Sequence, residues 1–140
     1  MNTQDTPAAK IAAEYIKSQI ETNLPGVTLK IKQMPFKQKI TLELANNYET
    51  SYAGWSPDYP DPTAFLEIMT KGNAQNNTDW GNEEYDNLIK EANGSLLREP
   101  DKRNEALQKA ESILLHDAPV APIYQKGEAH LTNPQVRGLQ

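Results

Sequence analysis

The residues best suited to chemistry lie together in one short segment that contains aromatic rings, carboxylates and prolines: Gly54, Trp55, Asp58, Tyr59 and Asp61. Prolines at positions 57, 60 and 62 fix backbone torsions and remove amide donors, so the segment forms neither a regular helix nor a central strand. The two rings offer flat apolar surfaces with a polar edge, and a stiff loop holds the two carboxylates at little entropic cost. This combination suits a small ligand that carries a positive charge. The same residues also fit an acidic surface loop whose tryptophan packs into the core.

Length, charge and the lack of cysteine limit the classes of protein and ligand. A chain of 140 residues suits one domain with one core. The formal net charge of -5 argues against nucleic acid and anionic lipid as partners, because both attract basic surfaces. The sequence contains no cysteine, which excludes disulfides, thiol catalysis and the usual zinc ligand sets. With neither a signal peptide nor an apolar run of membrane length, the chain is expected not to insert into a membrane.

Helical spacing of apolar residues predicts five helices, which cover residues 8–23, 37–45, 62–70, 83–92 and 100–116. Asp61 precedes a proline at a helix start, so we favour a capping role for it over a role as a second ligand carboxylate. Asn82 is the expected cap of the fourth helix. A long polar loop over residues 71–81 contains Trp80, which either anchors the loop on the core or reaches a cleft, and anchoring is favoured.

Alternating or aromatic-rich stretches predict strands at residues 27–32, 48–55, 118–124 and 128–131. The second of these would present the Trp55 segment at its carboxyl end, the edge at which α/β sheets bind ligands. The order of elements predicts an α/β fold with a small mixed sheet flanked by helices. Because the chain opens on a helix and offers few core strands, we expect it to be a fragment that lacks strands on its N-terminal side.

The chain carries, in order, the motifs Ala13-Glu14-Tyr15-Ile16, Asn23-Leu24-Pro25-Gly26-Val27, Pro35-Phe36-Lys37, Ala53-Gly54-Trp55-Ser56-Pro57-Asp58-Tyr59 with Asp61-Pro62, Tyr85-Asp86-Asn87-Leu88-Ile89, Arg103 with Lys109-Ala110-Glu111, and Val120-Ala121-Pro122-Ile123-Tyr124. This series resembles the C-terminal lobe of bacterial oligopeptide-binding proteins, the receptors of peptide ABC importers. The resemblance implies that residues 1–140 are a single periplasmic-binding-protein-like lobe of type II from a larger two-lobe protein. It implies an oligopeptide ligand and a membrane permease as partner of the whole protein. It also implies a location outside the cytoplasm, in the periplasm or as a cell-surface lipoprotein, with neither enzymatic activity nor a cofactor.

The resemblance also implies roles for individual residues of the segment. Asp58 matches the aspartate that forms a salt bridge with the free amino group of a bound peptide, and Trp55 is expected beside the ligand as a wall. The backbone near Ala53 and Gly54 would pair with the extended peptide as an added strand. Tyr52 stands where some relatives have an arginine for the peptide carboxylate. Clamping of a short peptide by its C-terminus is therefore not expected, and longer or pheromone-like peptides stay open as ligands.

Two other classes of function use the same residues. A glycoside hydrolase would use Asp58 and Asp61 as its pair of carboxylates. A carbohydrate-binding module would stack sugars on Trp55, Tyr59 and Tyr52 without catalysis. Metal binding is not expected, because His116 and His130 lie apart in the sequence and no oxygen-rich calcium loop is present.

Overall fold

The computed structural model describes residues 1–125 together with residues 127, 131, 133, 135 and 138. Two strands and five α-helices follow one another as β1 (Asn2–Gln4), α1 (Pro7–Asn23), β2 (Lys32–Met34), α2 (Phe36–Leu44), α3 (Thr63–Leu66), α4 (Glu83–Ala92) and α5 (Pro100–Asp117), and α3 continues into a 3-10 turn over Glu67–Met69. All five predicted helices are confirmed. The small sheet flanked by helices agrees with the predicted α/β fold.

The sheet pairs β1 with β2 in parallel, and Asn2 also forms a parallel bridge with Ser51. Both strand contacts in the described part are therefore parallel, without the antiparallel pairing of a mixed sheet. Strand β1 was missed because its Asn-Thr-Gln sequence is polar and does not alternate. The prediction that the chain opens on a helix was accordingly wrong.

The two predicted internal strands were placed wrongly. The first, over residues 27–32, was placed too early, because it overlaps the observed strand β2 only at Lys32. The second, over residues 48–55, is reduced to the bridge at Ser51. A strand exists only where a neighbour accepts and donates its hydrogen bonds, and β1 offers just three residues. Residues beyond its reach stay extended without regular pairing.

Side-chain caps begin helices α1 and α4. Thr6 Oγ1 accepts the Ala9 amide at the start of α1, and Asn82 Oδ1 accepts the Tyr85 amide at the start of α4. The apolar stripe of α1 is only partly covered, because Ile11 is 72% exposed and Tyr15 is 66% exposed. Helix α1 therefore contributes little to the core in the described part of the chain.

The core lies where the 3-10 turn and helices α4 and α5 meet, and its buried residues are Leu66, Met69, Tyr85, Ile89, Ala92, Leu107, Ala110 and Leu114. Trp80 packs edge-on against Tyr85, with ring centroids 5.0 Å apart, which confirms that it anchors the long loop. The Tyr85 hydroxyl donates to the Leu66 carbonyl at 2.6 Å, and burial raises the pKa of Tyr85. This core is the body against which the candidate site is held.

The predicted strand over residues 118–124 was also wrong, since that stretch follows α5 without strand pairing. Ala118 ends α5 in the left-handed conformation, and the prolines at 119 and 122 lack the amide donors that a strand requires. Residues 128–130 of the last predicted strand lie outside the described residues. Among the helices that the structure describes, none is both long enough and apolar enough to cross a membrane.

Candidate functional site

The candidate site is the loop over residues 53–61, which is exposed from residue 53 to residue 60. It follows the bridge at Ser51 and precedes α3, so it leaves the sheet at the carboxyl end of a strand contact, as the sequence predicts. Trp55 attaches the loop to α3, because its indole Nε1 donates to the Ala64 carbonyl at 2.8 Å. The ring is thereby fixed at one edge while it stays exposed to solvent.

Tyr59 attaches the other end of the loop to the same helical segment. Its hydroxyl donates to Glu67 Oε1 at 2.9 Å and lies 3.3 Å from Thr63 Oγ1. The Thr63 hydrogen bond favours the phenolate, but the bond to Glu67, burial and the charges of Glu67 and Asp61 outweigh it and raise the pKa of Tyr59. Tyr59 therefore stays neutral and serves as a hydrogen-bond donor.

Asp61 is a structural carboxylate. Its Oδ1 accepts the Thr63 amide at 2.9 Å, the Thr63 hydroxyl at 2.7 Å and Arg103 Nη2 at 2.8 Å. The Arg103 and Thr63 hydrogen bonds hold the pKa of Asp61 well below its usual range. This confirms the predicted role at the start of α3 and adds an ion pair to it.

Asp58 lies between these attachments and is exposed to solvent. The two carboxylates of the loop therefore differ in their surroundings: Asp61 is hydrogen-bonded within the protein, whereas Asp58 is exposed. An outward carboxylate on a loop attached at both ends is suited to a cationic group of a ligand.

The residues before Trp55 form the start of the loop. The Tyr52 amide donates to the Asn2 carbonyl at 2.9 Å, and its hydroxyl lies 3.2 Å from that of Tyr124. Ala53 and Gly54 are exposed, and a Cβ added at Gly54 would meet no atom within 4 Å. The main chain beside Gly54 is therefore open to an approaching molecule.

A buried ion pair supports the sheet side of this loop. Lys39 and Glu43 of α2 are 2% and 6% exposed, and Lys39 Nζ lies 2.5 Å from Glu43 Oε1. The same carboxylate oxygen accepts the hydroxyl of Ser51. Helix α2 therefore holds the backbone immediately before the exposed loop.

Sequence reasoning missed several of these supporting residues, namely Arg103, Thr63, Glu67, Tyr124 and the pair Lys39 and Glu43. One signal was available for Arg103. It lies four residues before Leu107 on α5, which places a charged side chain on the buried stripe of an amphipathic helix. A charge at such a position requires a partner, and that partner is Asp61.

The geometry does not favour the glycoside hydrolase alternative. Both carboxylates of such a pair must be available to the substrate. Asp61 is bound to the protein instead, because its Oδ1 accepts hydrogen bonds from the Thr63 amide, the Thr63 hydroxyl and Arg103. Within the part of the chain that the structure describes, no group of three or more His, Cys, Asp and Glu side chains is placed to hold a metal ion.

Comparison with known proteins places these features in a family. Residues 1–77 match the family model described as bacterial extracellular solute-binding proteins, family 5 Middle. The dipeptide-binding protein DppE of Bacillus subtilis is 35% identical over 95% of this chain and 24% of its own length. A crystal structure of an oligopeptide ABC transporter substrate-binding domain from Bacillus anthracis superposes with a TM-score of 0.77 at 43% identity, over 85% of this chain and 24% of that one. Listeria monocytogenes OppA bound to peptide gives a TM-score of 0.68 at 33% identity, over 81% of this chain and 21% of that one. The chain thus spans about a quarter of these relatives or slightly less.

Proposed function

Because the chain belongs to the bacterial extracellular solute-binding proteins of family 5, we propose that it is one lobe of the peptide-binding component of an ABC importer. Residues 1–140 would form one side of a cleft, and the rest of a longer protein would form the other side. This division is supported by the relatives, of which the chain spans about a quarter. The ligand would be an extended oligopeptide.

The observation that carries this proposal is the outward carboxylate of Asp58 on a loop attached at Trp55, Tyr59 and Asp61. A peptide ammonium offers three donors, and a carboxylate accepts them as charge-assisted hydrogen bonds of about twice the usual strength. Closure of a second lobe would remove water from the pair and strengthen it. Trp55 would then form a wall of the cleft beside the ligand.

Backbone contacts would supply the affinity that does not depend on peptide sequence. The main chain at Ala53 and Gly54 is exposed, and the space above Gly54 is open. An extended peptide would pair with it as an added strand, which requires peptide groups rather than particular side chains. At the start of the loop, Tyr52 and Tyr124 contribute hydroxyl groups and not a cation for a peptide carboxylate, which favours longer peptides.

The partners and location follow from the same proposal. The whole receptor would deliver peptide to a membrane permease, and it would lie outside the cytoplasm, in the periplasm or as a cell-surface lipoprotein. This lobe would not itself enter the membrane. The family is one of solute-binding proteins, and we propose that the chain has no enzymatic activity and needs no cofactor.

Replacement of Asp58 tests the proposal. In the full-length receptor, Asp58→Asn should weaken binding of an extended peptide with a free N-terminus by roughly 2 kcal/mol or more, because a desolvated ammonium would lose its charged partner. Isothermal titration calorimetry measures this loss. In the isolated 140-residue chain, Asp58 faces water, so affinity should be weak or undetectable.

The matched control is Glu49→Gln, which removes another exposed carboxylate from the same stretch of chain and should leave affinity unchanged. Acetylation of the peptide amine should weaken binding to the wild-type receptor by as much as Asp58→Asn weakens binding of the free peptide. Equal isotherms for the wild type and Asp58→Asn would refute the role of Asp58. Binding of oligosaccharides in place of peptides would refute the proposed function as a whole.

A further inference from the structure

We propose that Arg103 is a positioning residue for peptide recognition, which holds the loop that carries Asp58 from the neighbouring helix α5. The inference rests on the proposed function, since it assigns a residue that controls the geometry and selectivity of that same site. Arg103 would not touch the peptide. It would act through Asp61.

The guanidinium group of Arg103 joins two parts of the structure at once. Its Nη2 donates to Asp61 Oδ1 at 2.8 Å, and its Nε donates to the Ala92 carbonyl at 2.9 Å. The side chains of Arg103 and Asp61 are only 18% and 29% exposed, so water screens their contact less than it screens a surface pair. Ala92 is fully buried in the core. The loop end is therefore tied to the core through one side chain.

The other attachments of the loop are local. Trp55 and Tyr59 bind the short segment that includes Thr63, Ala64 and Glu67. Thr63, which follows Asp61 by two residues, binds the Asp61 carboxylate. These bonds fix the loop relative to α3. Among the hydrogen bonds of the described residues, the Arg103 pair connects the loop itself with α5, 42 positions away in the sequence.

A shift of Asp61 would reach Asp58 because little chain separates them. Only Tyr59 and Pro60 lie between the two aspartates, and the proline has a fixed φ angle. Without Arg103, Asp61 would keep its bonds to Thr63, but this end of the loop would lose its bond to α5 and would be held through the α3 segment alone. Asp58 would then sample several positions, and part of the alignment of its carboxylate with the peptide ammonium would be lost.

Arg103 also sets which carboxylate is available to a cation. In the structure it neutralises Asp61, and among the contacts of the described residues this leaves Asp58 as the loop carboxylate without an ion-pair partner. Removal of Arg103 would release a second carboxylate within a few residues of the first. A peptide ammonium would then have two competing partners, so recognition of its position would become less selective. Lysine would retain the charge but cannot contact both acceptors with a rigid fork.

The test uses the full-length receptor and one extended peptide in two forms, with a free and with an acetylated N-terminus. The ratio of the two dissociation constants measures recognition of the amine. Arg103→Met should weaken binding of the free peptide by about ten- to a hundredfold and reduce the ratio strongly, with Arg103→Lys intermediate. Lys109→Met is the matched control, because Lys109 forms an exposed ion pair with Glu84 between the same helix and α4, away from the loop. Its ratio should equal that of the wild type.

Thermal unfolding of each variant separates positioning from stability. A purely structural role would lower the melting temperature of the Arg103 variants and leave their ratio of dissociation constants unchanged, and that result would overturn the inference. Arg103→Lys keeps the test decisive if Arg103→Met does not fold, since it retains the charge. A wild-type receptor that binds both peptide forms equally would overturn the proposed amine recognition and this inference together. If the wild-type receptor discriminates between the two peptide forms and the Arg103 variants discriminate equally well, this inference alone would be overturned.

Discussion

The buried ion pair of α2 should make Lys39 one of the most sensitive positions of the chain. Replacement of Lys39 by methionine keeps the length of the side chain but removes its charge. The Glu43 carboxylate, which is 6% exposed, would remain with the Ser51 hydroxyl as a donor and no cation beside it. An unpaired buried charge of this kind is expected to destabilise the folded chain.

The size of the effect follows from the burial of the pair. Removing one partner of a buried ion pair costs about 3 to 5 kcal/mol. The whole free energy of unfolding of a domain is about 5 to 15 kcal/mol, so Lys39→Met would remove a large part of it. The pair also fixes Ser51, and its loss should therefore loosen the start of the exposed loop.

Urea unfolding followed by tryptophan fluorescence measures the change in the free energy of unfolding. Two further variants make the result interpretable. Lys39→Met combined with Glu43→Leu removes both charges and should recover most of the loss. Lys17→Met removes the lysine from a pair with the same spacing on α1, whose side chains are each 31% exposed, and should cost less than about 1 kcal/mol.

The reasoning would be refuted if Lys39→Met cost no more than Lys17→Met. The two pairs have the same residue types and the same spacing along a helix, and they differ in exposure. Equal losses would mean that burial does not control the strength of the Lys39 pair. A double variant as unstable as the single one would contradict the unpaired charge as the cause.

Two further predictions concern the loop. Arg103 and Thr63 lower the pKa of Asp61 below its value of 3.8 in the unfolded chain, so the wild type should be more stable than Asp61→Asn by about 1 to 2 kcal/mol above pH 5 or so. This advantage should shrink as the pH falls from about 5 towards 2, because protonation then favours the unfolded state, and a constant difference in urea unfolding would contradict the ion pair. Gly54→Ala should leave the free energy of unfolding unchanged or raise it by up to about 1 kcal/mol, since an added Cβ meets open space and φ is not positive. The same methyl should weaken peptide binding by the full-length receptor, and unchanged affinity in calorimetry would mean that the peptide does not pass beside Gly54.

Local signals explain what could be predicted of the fold. The helices are marked by apolar periodicity and by caps such as Asn82, and both depend on residues within a few positions of one another. The strands were harder to predict, because a strand depends on a partner that is distant in the sequence. The polar strand β1 shows the problem: its residues carry no strand pattern, yet they determine where β2 and the bridge at Ser51 form.

The same distinction applies to the candidate site. The proline-rich loop and the cap at Asp61 depend on adjacent residues, and both were predicted. The ion pair with Arg103 and the hydroxyl contact between Tyr52 and Tyr124 join residues 42 and 72 positions apart, and no local pattern reports such distances. The exposed position of Asp58 could not be predicted from adjacent residues, because it depends on distant partners that bind its neighbours.

Several long side chains of the described residues donate to main-chain oxygens, among them Trp55 to Ala64, Tyr85 to Leu66 and Arg103 to Ala92. Every residue type supplies the same carbonyl group, so the accepting positions are free to change their side chains without loss of these bonds. Substitutions at the accepting positions would be limited by side-chain packing alone. The framework that holds the loop can therefore diverge widely in sequence between species while the loop keeps its place, and the donors rather than the acceptors would be the positions under constraint.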